Sequence, residues 1–122
     1  MATETVAVLG ASPKEDRPSN QAVKDLLAHG HRAIPVHPTA TSIHGQACVA
    51  SLTALPTAVD TISLYVGAER STALQGEILA AKPRRLIFNP GAENPALAQA
   101  ARAAGIAVQE ACTLVLLRTG QF

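Results

Sequence analysis

The chain has 122 residues, of which 48% are hydrophobic and only 2% aromatic, and its formal net charge is +1. This length predicts one domain over residues 1–122, with a single core and without a second catalytic module. The near-neutral charge and the scarcity of aromatic rings argue against nucleic acid as a partner, and no apolar run approaches the ~20 residues of a membrane span.

The first predicted strand, Thr5–Leu9, leads into a loop that carries a glycine, a hydroxyl group and two cations. Gly10 lets a ligand approach the backbone, while the Ser12 hydroxyl and the charges of Lys14 and Arg17 suit phosphate oxygens. The loop lacks the second and third glycines of G-x-G-x-x-G, which argues against a tight dinucleotide-type turn. These residues predict a nucleotide-phosphate site at the start of the chain.

The first predicted helix opens at Pro18, where Ser19 or Asn20 is expected to cap the free amides. The second predicted strand, Ala33–Val36, ends at His37 and Pro38. NAD-binding domains usually place a carboxylate there to accept the ribose hydroxyls. A histidine instead favours a nucleotide whose ribose carries a phosphate, such as coenzyme A or NADP.

The remaining elements alternate in the same way and predict an α/β fold. We expect a Rossmann-like, doubly wound parallel five-stranded sheet in a single three-layer α/β/α domain, with any ligand at the carboxyl ends of the strands. The predicted elements are a helical turn at Ser51–Pro56, a strand at Thr61–Val66, a helix at about Ser71–Ala81, a strand at Arg85–Phe88, a helix after Asn94, a strand at Ile106–Gln109 and an apolar tail, Cys112–Arg118, docked as a short helix.

Three stretches taken together carry a resemblance to a known family. They read V-A-V-L-G-A-S-P with R-P-S-N, then A-I-P-V-H-P, then I-H-G-Q-A-C-V-A-S-L. In this order they resemble the small CoA-binding domain family, whose fold also forms the N-terminal domain of the succinyl-CoA synthetase alpha subunit. The second domain of that subunit, with its phosphorylated histidine, has no counterpart here. The resemblance therefore implies a non-catalytic CoA or acyl-CoA binding protein.

The resemblance also implies a role for most of the candidate residues. The first loop would line the pyrophosphate, and the end of the second strand would lie beside the adenosine. The segment after the third strand would line the crevice, and the segment after the fourth strand would flank the pantetheine path. Arg70 is on the same side and could reach a phosphate. The candidate site comprises Gly10, Ala11, Ser12, Lys14, Arg17, Pro18, Ser19, His37, Pro38, Tyr65, Val66, Gly67, Arg70, Asn89, Pro90 and Gly91.

Two other functions stay open at this point. An NADP-type oxidoreductase or redox sensor would need a proton donor, for which only Tyr65 and His37 are available. A ligand-free regulatory scaffold could use Leu114–Leu117 as an interface with a protein partner or a second copy. Departures from the family pattern at His37, Val49 and Asn89 favour this last alternative. No catalytic constellation can be assembled, so we expect no enzyme activity.

The cysteines and histidines predict reduced thiols and no metal site. Cys48 and Cys112 do not form a C-x-x-C pair and are expected to be reduced thiols. Together with the lack of a recognisable signal segment, they predict a cytoplasmic protein. His29 and His31 flank a helix terminus, and the sequence places no acidic or thiolate side chain next to them, so no metal site is expected.

Overall fold

The computed structural model describes residues 3–122 and places five parallel strands in one sheet, in the order β2–β1–β5–β6–β7. If these five strands alone are numbered along the chain, their order in the sheet is 2-1-3-4-5. The winding of the sheet therefore reverses between β1 and β5. In such sheets the ligand crevice lies at that reversal. The bounds are β1 Thr5–Leu9, β2 Arg32–Val36, β5 Thr61–Leu64, β6 Arg85–Phe88 and β7 Ala107–Glu110; a separate two-stranded hairpin contains β3 Ser42–Ile43 and β4 Gln46–Ala47.

Helices cover both faces of the sheet, which confirms the predicted doubly wound fold. Alternate residues of β1 contribute to two cores: Val6 and Val8 pack with α1 and α5, whereas Ala7 and Leu9 pack with the residues of the opposite face. The helices are α1 Pro18–Ala28, α2 Ala68–Ala73, α3 Gln75–Ala80, α4 Pro95–Ala103 and α5 Thr113–Arg118, with a 3-10 turn at Leu52–Ala54.

The predicted helix at 71–81 is wrong in its start and in its continuity. The structure has two short helices that begin at Ala68 and are separated at Leu74, whose backbone leaves helical geometry with φ −97° and ψ 4°. Gly76, a poor helix former, follows two residues later. The preceding strand ends at Leu64 rather than Val66. The earlier strand end and the earlier helix start leave a connection of three residues, 65–67, at the carboxyl edge of the sheet.

The hairpin β3–β4 was not anticipated. Its turn residues His44 and Gly45 both have positive φ, 49° and 75°, as two-residue hairpin turns require. The hairpin leads to Val49, which pairs with β2: its amide donates to Pro35 O at 3.0 Å, and its carbonyl accepts from His37 N at 3.0 Å. This pairing holds the following segment, 50–52, beside the end of β2.

The C-terminal helix packs against the rest of the chain, as the apolar tail predicted. Leu116 and Leu117 are buried and belong to the protein's own core, which leaves half-buried Leu114 and exposed Val115 as the residues of Leu114–Leu117 open to a partner. Among the large hydrophobic residues of this helix, only Val115 has about half of its surface exposed, 51%. Within residues 3–122, no helix has both the length and the apolar character needed to cross a membrane.

Candidate functional site

A cleft of about 340 Å³ lies at the carboxyl ends of β1 and β5, where the winding of the sheet reverses. Its walls come from the loop after β1, the first turn of α1 and the residues that follow β5 and β6. These segments are far apart in sequence and meet because parallel strands end at the same edge. The lining residues are Gly10, Ser12, Lys14, Arg17, Pro18, Ser19, Tyr65 and Pro90, all of them predicted site residues.

The loop after β1 is held in a folded conformation by its own hydrogen bonds. The Lys14 amide donates to Ser12 Oγ at 3.1 Å, and the Arg17 amide donates to Lys14 O at 3.1 Å. Asn20 Nδ2 donates to Ser12 O at 2.9 Å, which ties the loop to the first turn of α1. The Lys14 and Arg17 side chains are exposed and line the cleft.

Helix α1 begins at the cleft without a side-chain cap, so the predicted cap at Ser19 or Asn20 is wrong. The capping position is Arg17, and the helix starts at Pro18, which puts both candidate caps inside the first turn. Asn20 instead binds the loop and His44, whose Nε2 lies 2.7 Å from Asn20 Oδ1. The first turn has no acidic side chain. An uncapped helix N-terminus of this kind favours an anion.

Gly10 separates this cleft from a smaller pocket. Its φ of +87° favours glycine, and a Cβ added there would lie 2.8 Å from Val66 Cγ1 and 3.2 Å from the Tyr65 carbonyl. The backbone after β1 therefore packs directly on the backbone after β5. The smaller pocket, about 60 Å³, is lined by Leu9, Gly10, Val36, Pro38, Ala50, Ser51, Leu52, Arg70, Leu74 and Glu77.

Two predicted residues at the end of β2 have different surroundings. Pro38 lines the smaller pocket, whereas His37 does not. The His37 Nδ1 accepts the amides of Thr39 at 3.1 Å and Ala40 at 2.8 Å, which fixes the ring over its own turn. A neutral imidazole that accepts at Nδ1 carries its hydrogen on Nε2. His37 can therefore offer one N–H donor to a ligand.

Five further predicted residues do not line either cavity. Ala11, Val66 and Asn89 are buried, and Gly67 and Gly91 are exposed. The Asn89 amide is used inside the protein: Nδ2 donates to Ser63 Oγ at 2.9 Å and Leu64 O at 2.8 Å, and Oδ1 accepts Thr113 N at 2.8 Å. Within the segment 89–91, Pro90 is the residue that lines the cleft.

Tyr65 places an aromatic ring in the cleft wall and its hydroxyl inside the protein. Burial raises the pKa of Tyr65 to about 12. Within the described part of the chain, the buried Tyr65 hydroxyl has no hydrogen-bond partner. The phenol is therefore a weaker acid than an ordinary tyrosine and a poor proton donor near neutral pH.

Replacing Tyr65 by phenylalanine is expected to leave the free energy of unfolding unchanged or to raise it by up to about 1 kcal/mol, because the variant removes a buried group without a partner. Urea denaturation measures this change. A loss of stability larger than about 1 kcal/mol would show that the hydroxyl makes a favourable interaction.

The sequence did not indicate several residues of the smaller pocket. Ser51, Leu74 and Glu77 reach it because the segment after β4 and the break between α2 and α3 bring them next to Gly10. No motif in the sequence marks these positions. Among residues 3–122, no group of three His, Cys, Asp or Glu side chains is arranged to hold a metal ion.

Comparisons with known proteins agree with this fold. The sequence model of a family described as the CoA binding domain matches residues 4–118. A crystal structure of an uncharacterized protein is 34% identical over the whole of both chains, with a TM-score of 0.94. The protein cell-free ID.343 from Thermus thermophilus is 30% identical, with a TM-score of 0.89 over 98% of this chain and 91% of its own.

A larger enzyme contains the same fold. The dinucleotide forming acetyl-coenzyme A synthetase 1 of Ca. Korarchaeum cryptofilum matches 88% of this chain with a TM-score of 0.76 and 22% identity. The match covers only 25% of that enzyme's chain. At this identity the likeness concerns the fold alone.

Proposed function

Because the chain belongs to the CoA-binding domain family, we propose that it binds CoA or an acyl-CoA and catalyses no reaction of its own. The observation that carries the proposal is the cleft at the reversal of the sheet. There the uncapped N-terminus of α1 meets the exposed cations Lys14 and Arg17. CoA carries a pyrophosphate and a ribose phosphate, and each of these groups needs N–H donors and positive charge.

The two cavities suggest how an extended ligand would lie. Phosphates would occupy the cleft beside Lys14, Arg17 and Ser19. The adenine would lie across the mouth of the smaller, more apolar pocket on the other side of Gly10, which at about 60 Å³ is too narrow to enclose it. The pantetheine arm would leave along Tyr65 and Pro90. Gly10 lies between the cavities, and its lack of a side chain lets the segments after β1 and β5 pack together at the point that the ligand would cross.

The same geometry gives less support to the oxidoreductase considered from the sequence. That activity would need a proton donor from Tyr65 or His37. Burial raises the pKa of Tyr65 to about 12 and so makes it a weaker acid. His37 lines neither cavity, and its Nδ1 is occupied by two backbone amides. A binding protein needs neither group to transfer a proton.

Replacing Arg17 by alanine is expected to weaken CoA binding about tenfold, the equivalent of one charge-assisted hydrogen bond. Calorimetric titration with CoA, dephospho-CoA, NAD and NADP measures the change. Arg102→Ala is the matched control because Arg102 is exposed in the last turn of α4, outside both cavities.

The control should keep the affinity of the unsubstituted protein. An equal loss in both arginine variants would mean that net charge, rather than a contact at the cleft, governs binding. Binding of NADP without CoA would favour the oxidoreductase. A protein that binds none of the four compounds would be a ligand-free scaffold, contrary to the proposal.

A further inference from the structure

The turn of the β3–β4 hairpin is joined by hydrogen bonds to the loop that forms the cleft. His44 Nε2 lies 2.7 Å from Asn20 Oδ1, and Asn20 Nδ2 donates to the carbonyl oxygen of Ser12 at 2.9 Å. Ser12 lines the cleft, whereas His44 and Asn20 line neither cavity. The hairpin turn, the first turn of α1 and the loop after β1 are therefore connected through one buried side chain, that of Asn20.

The chemistry of these groups determines the direction of each hydrogen bond. The Ser12 carbonyl can only accept, so the amino group of the Asn20 amide faces it and the amide oxygen faces His44. Because that oxygen also accepts, His44 carries a hydrogen on Nε2. If the Asn20 amide turned over, two oxygens would face each other and the contact with the loop would be lost. His44 therefore holds the amide in the orientation that binds Ser12.

The residue type at position 44 is better explained by this contact than by the turn. His44 and Gly45 both have positive φ, and a two-residue turn of this kind strongly prefers asparagine, aspartate or glycine at its first position. The His44 side chain is exposed, so it does not fill the core. Its hydrogen bond to Asn20 supplies a role for an imidazole there.

We infer that His44 is a positioning residue for ligand binding, which keeps the loop after β1 in its phosphate-binding conformation by holding the Asn20 amide. This inference rests on the proposed function, which places phosphates at that loop. A loop that is ordered before the ligand arrives loses less conformational entropy on binding. When only a fraction of the molecules has the binding conformation, the apparent affinity falls by that fraction.

Two substitutions of similar length at His44 test the inference. His44→Gln keeps an N–H donor near the position of Nε2, whereas His44→Met has no donor. In calorimetric titration, CoA affinity should fall about fivefold in His44→Met, the equivalent of one neutral hydrogen bond, and should be largely restored in His44→Gln. His29→Met is the control because His29 is exposed at the end of α1 and lines neither cavity. Its affinity should stay unchanged.

A double-mutant cycle separates action through Asn20 from a direct contact with the ligand. In the Asn20→Ala protein, His44→Met should cause no further loss of CoA affinity, because the amide that His44 holds is absent. A full fivefold loss in that background would overturn the inference. If Asn20→Ala fails to fold, the substitutions at exposed His44 still decide. NMR of the ligand-free, 15N-labelled protein should show the His44 hydrogen on Nε2, and a neutral ring with its hydrogen on Nδ1 alone would overturn the inference.

The outcomes distinguish the inference from the proposed function. If the unsubstituted protein does not bind CoA, the proposed function fails and the inference fails with it. If it binds CoA and His44→Met binds equally well, the inference is overturned while the proposed function stands. The same conclusion follows if His44→Gln loses as much affinity as His44→Met, or if His29→Met loses affinity to the same extent.

Discussion

Gly10→Ala is expected to lower the free energy of unfolding by about 2–4 kcal/mol. An L-residue in the left-handed region costs roughly 1–2 kcal/mol, and Gly10 has a φ of +87°. The new methyl group would also lie 2.8 Å from Val66 Cγ1 and 3.2 Å from the Tyr65 carbonyl carbon and oxygen. Forcing a group into packed surroundings costs about 1–3 kcal/mol more. Urea denaturation measures the total.

The chain offers a matched control for this substitution. Gly91 has nearly the same φ, +90°, but a Cβ there would meet nothing within 4 Å. Gly91→Ala should therefore cost only the backbone component, about 1–2 kcal/mol. In a double-mutant cycle, Val66→Ala should recover part of the Gly10→Ala loss by removing the closest atom. Equal losses at the two glycines would contradict the close packing after β1 and β5.

Asn89→Ala is expected to lower the free energy of unfolding by about 2–4 kcal/mol. The Asn89 side chain joins three elements. It directly follows β6, donates to Ser63 Oγ and Leu64 O at the end of β5, and accepts the amide of Thr113 at the start of α5. The variant leaves the Thr113 amide buried without its acceptor, which alone costs about 1–3 kcal/mol. A cavity of side-chain size adds to this cost.

Gln99→Ala is the control for the loss of a side-chain amide, because Gln99 is exposed on α4. Its effect should stay within about 0.5 kcal/mol, as is usual for surface positions. Urea denaturation compares both variants, with the slope of the unfolding free energy against urea concentration unchanged between them. A change below about 1 kcal/mol for Asn89→Ala would mean that the three hydrogen bonds do not hold β5 and α5 together.

The sequence predicted most of the fold because periodicity and capping are local signals. The apolar run Thr5–Leu9 gave strand β1 with its observed bounds, and Asn94 before Pro95 gave the start of α4, where Asn94 Oδ1 accepts Leu97 N at 3.2 Å. The predicted cap of α1 was wrong because of contacts with residues outside the helix. Asn20 has the residue type of a cap, but the loop after β1 and His44 bind its side chain.

The candidate site was predictable to a similar extent. Residues that directly follow β1 and β5, such as Ser12 and Tyr65, had to meet at one edge of a parallel sheet, so topology was sufficient to bring them together. Glu77 lies within a short helix, and its approach to the pocket depends on the break at Leu74. Such side-chain positions follow from tertiary packing, which no local pattern in the sequence encodes.

The position of the ligand is the most direct test of the central claim that this protein binds CoA at the carboxyl edge of its sheet. Two-dimensional NMR of the 15N-labelled protein during titration with CoA would report it. We expect the amide signals of Gly10, Ser12, Lys14 and Ser19 to shift, while that of Arg84, at the opposite edge, stays in place. Absence of any shift, or shifts confined to the opposite edge, would contradict the account.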